Sequence, residues 1–197
     1  MRVKICGLKD EAAIEAAARA GADYAGFVVD VAGSRRSLSL EEAGRLIRKV
    51  PEPMMPVAVI LPGTEQEAKA YARKLDCILQ VHGLAAAPKT CAPVILALNA
   101  PAETPRPGNE FAVLVDSARP GSGIENDFSA AGRMRERLER PMFLAGGLDI
   151  NNVAIAIEKT RPFAVDVSTG VETDGAKDHA KIREFVRRAK DAARKIR

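Results

Sequence analysis

The chain of 197 residues has no tryptophan, two tyrosines and six phenylalanines, and aromatic side chains make up 4% of it. That is too few for the stacking platforms of a single-strand nucleic-acid binder. The net charge of +4 owes much to the last turns, REFVRRAKDAARKIR, whose basic residues recur at helical spacing on a solvated face. No nucleic-acid partner is expected. Cysteine and histidine are equally scarce. Cys6, Cys77 and Cys91 cannot all pair within the chain and none lies in a C-x-x-C arrangement, while His82 and His179 stand far apart without ligand-like neighbours. A disulfide framework is not indicated, and no metal and no cofactor is expected. No run approaches the ~20 apolar residues of a membrane span, and the opening MRVKICGLKD lacks the apolar segment that follows the basic end of a signal peptide. The chain reads as cytoplasmic, with no membrane partner.

What fills the chain instead is alternation. A hydrophobic content of 47% over this length suffices for one well-buried core and falls short of two, so residues 1–197 are expected to form a single domain. Short apolar runs rich in β-branched residues recur as VKIC (Val3 to Cys6), YAGFVV (Tyr24 to Val29), PVAVIL (Pro56 to Leu61) and CILQV (Cys77 to Val81). They return as PVILAL (Pro93 to Leu98), FAVLVD (Phe111 to Asp116), MFLAGG (Met142 to Gly147) and FAVDVS (Phe163 to Ser168). Between most of these strands stand stretches of helical period: DEAAIEAAARAGA, SLEEAGRLIRKV, TEQEAKAYARKL, SAAGRMRERLE and INNVAIAIEKT, with KDHAKIREFVRRAKDAARKI last. Eight strand–helix units predict an α/β fold whose parallel sheet closes into a TIM (βα)8 barrel rather than an open doubly wound sheet.

The pattern weakens after the fourth and fifth strands, where HGLAAAPKTCA and NAPAETPRPGNE carry prolines and offer few positions for a packed helix. Helices there are expected to be reduced or missing, in keeping with a length below the ~250 residues usual for such barrels. The wall thins at this point, which suits coverage by a second copy in a homodimer.

Catalytic groups of these barrels sit at the carboxyl ends of the strands. Those ends carry Cys6, Gly26 with the Ser34 to Ser37 loop, His82, Asp116, Gly146 with Gly147, and Asp166 with Ser168, Thr169 and Gly170. AGGLDINN places two glycines before a helix start, where backbone N–H groups and the helix dipole favour an anion, and VSTG supplies a further glycine and two hydroxyls. Together they read as a phosphate grip. Cys77 and Cys91 read as space-fillers, but Cys6 stands at the rim near Lys4 and Arg36, cations that favour a thiolate able to act as a base. Asp116 either caps loop N–H groups or, desolvated at a strand end, stays protonated as a general acid. Asp166 has parity opposite to Val165 and Val167, points into the barrel, and needs a partner there or a substrate hydroxyl. His82 alone is more often a satisfied core histidine than a catalyst, and His179 opens the last helix facing solvent. Arg36 lies in GSRRSLS beside another arginine; it is surface charge or a guanidinium placed for a planar carboxylate.

In their order, VKICGL, AGADYAGFVV, SRRSLS, QVHG, LVDS, LAGGL-x-x-x-NV and RPFAVDVSTGVE-x-x-G-x-KD resemble the phosphoribosylanthranilate isomerase family over nearly the whole chain. The motifs from Val3 to Leu38 and from Leu144 to Asp178 are the most specific. The resemblance implies an Amadori rearrangement of a small sugar phosphate, N-(5-phosphoribosyl)anthranilate, without a cofactor. It implies that Cys6 removes the C2′ proton, that Asp116 protonates the ring oxygen, and that Arg36 meets the anthranilate carboxylate. Asp166 and His82 then contact the substrate, while its phosphate rests on Gly146, Gly147, Ser168, Thr169 and Gly170, with Gly121 and Gly123 of the PGSG loop. The chain departs from the family pattern at Ser37, at Leu96 where the family has lysine, and at Leu84 where it has an acidic residue. Two other readings stay open: a catalytically reduced sugar-phosphate binder with a regulatory or scaffolding role, and an isomerase of a related aminoaldose phosphate. Retention of both Cys6 and Asp116 weighs against the first; the second is opposed by a cysteine ending strand one and by the lack of a second GG grip mid-chain.

Overall fold

The computed structural model describes residues 1–99, 110–116 and 128–196. In chain order the strands are β1 (Arg2–Cys6), β2 (Tyr24–Val29), β3 (Ser37–Leu38), β4 (Met55–Ile60), β5 (Ile78–Val81) and β6 (Val94–Asn99). They continue as β7 (Ala112–Asp116), β8 (Met142–Ala145), β9 (Ala164–Val167), β10 (Glu172–Thr173) and β11 (Ala176–Lys177). The helices are α1 (Glu11–Ala20), α2 (Leu40–Ile47), α3 (Glu65–Lys74), α4 (Phe128–Arg137), α5 (Val153–Thr160) and α6 (His179–Lys195). Each of the eight strand regions read from the sequence forms a barrel strand, its ends moved by a residue or two. All pairings among them are parallel, and β1 pairs with β2 on one side and β9 on the other, so the barrel closes. Asp10, Ser39, Thr64 and Asp178 each accept a first-turn N–H, which fixes where four of the helices begin.

Side-chain alternation sorts every strand into two layers. Outward residues such as Val3, Ile5, Phe27, Leu79, Val113 and Val165 pack beneath the helices; inward ones such as Val57, Ile95, Leu114 and Ala164 fill the barrel. Four of the eight aromatic residues gather at its floor. Phe143 meets the rings of Tyr24, Phe163 and Phe111 at centroid distances of 5.2, 5.8 and 6.4 Å, and the Arg2 guanidinium lies 4.6 Å from the Phe163 centroid while donating to the Tyr24 hydroxyl. The barrel is therefore plugged at the amino ends of its strands, leaving the carboxyl ends for a site.

Residues 82–93, after the fourth barrel strand, contain no helix, as their prolines predict. The connection after the fifth falls within 100–109, outside the described residues. Leu96 faces outward into the helix layer, because Ile95 and Ala97 take the inward positions of β6. A family lysine aligned there is corrected accordingly: Leu96 has no place at the mouth. No helix among the described residues is long and apolar enough to cross a membrane.

Phe143→Ala should lower the unfolding free energy by about 3–5 kcal/mol in urea melts, because the floor cannot collapse around so large a void. Ile155→Ala, on the exposed face of α5, should change it by less than about 0.5 kcal/mol.

Candidate active site

The parity of β1 that sends Val3 and Ile5 outward sends Lys4 and Cys6 into the barrel. Lys4 is fully buried, and its Nζ donates to both carboxylate oxygens of Asp166 at 3.0 Å, across the seam between β1 and β9. Burial works against the ammonium charge, but Asp166 and Cys6 outweigh it and raise the Lys4 pKa. Cys6 lies one inward position higher, beside Gly26. A Cβ on Gly26 would stand 3.0 Å from the Cys6 Sγ and 3.1 Å from the Lys4 Cε, so this glycine makes room for both side chains. Burial pushes the Cys6 thiol up, Asp166 adds to the rise, and the opposing pull of Lys4 and Lys177 does not cancel it. The cations that favour a thiolate are in place, Lys4 being shared between Asp166 and Cys6, but in the free protein burial outweighs them and the thiol's pKa lies above its ordinary value.

His82 follows β5, and its Nε2 lies 2.8 Å from the Gln80 amide nitrogen. Burial lowers its pKa, Lys4 adds to the drop, and Asp166 offsets part of it, so the imidazole is neutral. Gln80 is itself buried, with no hydrogen-bond partner for its Oε1. Asp116 ends β7 with the inward parity of Ala112 and Leu114 and is half-buried. From β1 to β7 the barrel order runs through β9 and β8, which sets Asp116 across the mouth from Cys6.

The two glycine loops meet. Asp149 and Gly170 form a bridge, and a Cβ on Gly170 would lie 2.0 Å from the Leu148 carbonyl oxygen, so only glycine fits. Gly146 and Gly147 take φ of 90° and 61°. The expected helix start after them is corrected, since α5 begins only at Val153. Asp149 accepts from the N–H groups of Asn151 and Asn152, and the Asn152 side chain donates to the Gly147 carbonyl, so LDINN closes as a polar turn. The Ser168 hydroxyl donates to the Cys6 carbonyl at 3.1 Å and Thr169 Oγ1 accepts from Arg36 at 2.9 Å. Both hydroxyls therefore brace the loop as well as face the mouth.

Arg36 crosses the end of β1, where a Cβ on Gly7 (φ 76°) would lie 2.4 Å from the Arg36 Cδ. Its Nε and Nη2 donate to the two oxygens of Glu172 at 2.7 and 2.8 Å. Lys177 Nζ donates to the same carboxylate at 2.8 Å and to the Ser168 carbonyl at 2.9 Å, and Arg35 adds a third cation. Burial alone would raise the Glu172 pKa, but the bonds from Arg36 and Lys177 bring it down to about 2. The local sequence explains this arrangement. Asp174 and Gly175 both have positive φ, as a two-residue hairpin turn demands, and their turn sets Glu172 directly opposite Lys177.

The family model described as N-(5′-phosphoribosyl)anthranilate isomerase matches residues 3–188. The N-(5′-phosphoribosyl)anthranilate isomerase of Methanothrix thermoacetophila is 43% identical over 96% of this chain and 98% of its own. The chain belongs to the phosphoribosylanthranilate isomerase family. Among solved structures, the phosphoribosyl anthranilate isomerase of Thermotoga maritima superposes with a TM-score of 0.82 at 33% identity, over 97% of this chain and 99% of that one. Another family structure holds reduced 1-(o-carboxyphenylamino)-1-deoxyribulose 5-phosphate and superposes with a TM-score of 0.79 at 31% identity, over 97% and 99%. The chain is thus an isomerase of tryptophan biosynthesis by family and a TIM barrel by fold.

As a family member it brings Cys6, Arg36, His82, Asp116, Asp166, Gly146, Gly147, Ser168, Thr169 and Gly170 to one end of the barrel. Gly121 and Gly123 lie outside the described residues. His179 is exposed, as expected, at the start of α6. Cys91 is corrected from a buried filler to an exposed thiol, because the helix-free loop before β6 leaves it at the surface; Cys77 is half-buried. Among the described residues no cluster of three His, Cys, Asp or Glu side chains could hold a metal ion. Glu172 and Lys177 were not singled out from the sequence, although the spacing E-x-D-G-x-K around a hairpin turn would have set them opposite each other.

In the free protein the Cys6 thiolate absorbance near 240 nm, taken against Cys6→Ala, should appear only above about pH 8.5, the ordinary thiol value. Lys4→Met removes the cation that favours the anion, so it should move the rise to still higher pH; a shift to lower pH would contradict the assigned electrostatics.

Proposed function

We propose that the chain converts N-(5-phosphoribosyl)anthranilate into 1-(2-carboxyphenylamino)-1-deoxyribulose 5-phosphate, with Cys6 as general base and Asp116 as general acid, within one barrel domain spanning residues 1–197. The observation that carries this reading is the thiol at the barrel rim, next to a buried ammonium and across the mouth from a carboxyl group. Asp116 gives its proton to the ribose ring oxygen as the C1′–O bond breaks, and the anilino nitrogen becomes a protonated imine. That new cation favours loss of the Cys6 thiol proton to water, and the thiolate then removes the C2′ proton and is a thiol again; the electron pair moves into a C1′–C2′ double bond and neutralises the nitrogen. The enolamine then gives its 2′-hydroxyl proton to the Asp116 carboxylate and takes one at C1′ from water, which returns the proton lost by the thiol. The proton count closes with acid and base restored, and no outside oxidant or reductant is consumed.

Affinity in this reading comes from both ends of the substrate. The phosphate rests on the backbone of Gly146, Gly147, Ser168, Thr169 and Gly170, where left-handed glycines let the chain approach an anion closely. The anthranilate carboxylate takes the free end of the Arg36 guanidinium. Asp166 and neutral His82 lie along the sugar, where a hydroxyl can donate to the Asp166 carboxylate and draw it from Lys4, which then faces the thiolate more closely. The relative that holds the reduced product-like compound supports a site of this chemical class.

Cys6→Ala and Asp116→Asn should each cut kcat by roughly 10²-fold or more, as loss of general acid–base catalysis does. Affinity for the reduced product should stay within a few-fold. Equal losses in rate and binding would make both residues structural, and a wild type that binds the analogue without turning over substrate would favour a sugar-phosphate-binding relative.

A further inference from the structure

We infer that Glu172 is the positioning residue that sets Arg36 for the substrate's carboxylate, and that specificity for a carboxylate-bearing aryl group depends on it. The inference rests on the proposed rearrangement, in which Arg36 meets that carboxylate. A guanidinium carries five N–H groups. In Arg36 the Nε–H and one Nη2–H go to the two Glu172 oxygens, and Nη2 also donates to Thr169. Among the described residues nothing accepts from Nη1, whose two N–H groups are the ones left for a ligand. A bidentate grip on one edge fixes the plane of the guanidinium and therefore the direction of the donors that remain.

The packing removes the alternatives. The Arg36 stem lies over Gly7, the residue after Cys6, where a Cβ would displace it. Glu172 cannot swing either, because its hairpin register pairs it with Lys177, and Lys177 is tied to the Ser168 carbonyl in the phosphate loop. One hydrogen-bonded unit thus joins the carboxylate donor to the loop that faces the phosphate. The buried carboxylate also balances charge among Arg35, Arg36 and Lys177, so that the cationic end of Arg36 is held at a set place rather than repelled from its neighbours.

The test is calorimetric binding of the reduced product and of its counterpart made from aniline, which lacks the carboxylate. The wild type should prefer the carboxylated compound. In Glu172→Gln that compound should weaken by about 10-fold or more, as expected for a misdirected charge-assisted bond, while the aniline compound changes less than about 3-fold and the preference collapses. Glu172→Asp keeps the charge but shortens the reach; if Glu172→Gln does not fold, this variant should show the same selective loss. Arg36→Met should remove the preference alone, with no further selective loss on adding Glu172→Gln. Equal weakening of both compounds, or of neither, overturns the inference, as does a wild type without the preference. Failure of the proposed rearrangement is read separately, as a wild type that binds but makes no product.

Discussion

The ion pair between Lys4 and Asp166 is the interaction on which the site depends. It joins the first and last barrel strands at the level where the packed interior gives way to the mouth. Neither charge could remain there alone: stripping the partner from a buried pair typically costs about 3–5 kcal/mol. The pair holds two inward side chains in fixed places and sets the field in which Cys6 and His82 titrate. Burial keeps the imidazole neutral, with Lys4 adding to that and Asp166 opposing it, and the pair places a cation beside the thiol. The thiol nonetheless stays protonated at rest, which leaves Cys6 to ionise when substrate rearranges the charges around it. A resting thiol suits a base that must be strong at the moment of proton removal.

Above that pair, the rim is assembled from loops that brace one another. Gly170 touches Leu148 and Asp149, Ser168 reaches the Cys6 carbonyl, and the hairpin after β9 grips both Arg36 and the Ser168 loop. Small residues occur where backbones or stems cross: Gly7 beneath Arg36, Gly26 beneath Lys4 and Cys6, Gly170 against Leu148. A side chain at Gly170 would meet the Leu148 carbonyl, one at Gly7 would displace the Arg36 stem, and one at Gly26 would crowd Lys4 and Cys6. The chemistry of the site thus rests on close approach as much as on the charged groups themselves.

The strands were legible because β-branched apolar runs recur between amphipathic stretches, and β9 was legible down to its parity because Asp166 alternates with Val165 and Val167. The run from Pro93 to Leu98 has no such alternation, which is why Leu96 could not be assigned a face from sequence. Asp166 declared its need for a partner, yet naming Lys4 required the register between two strands some 160 positions apart. The polar turn at LDINN hid the true start of α5, because Asp149 and the two asparagines look alike as caps and as turn residues. Glu172 escaped notice because its importance comes from three cations that converge from two loops.

The central claim is that the isomerisation proceeds by removing the C2′ proton to a base rather than by shifting hydrogen directly between carbons. Carrying out the reaction in heavy water and locating deuterium in the product tests this most directly. The account predicts solvent deuterium at C1′, since the enolamine takes its new proton from groups that exchange with water. Product formed with no solvent deuterium at C1′ would contradict it.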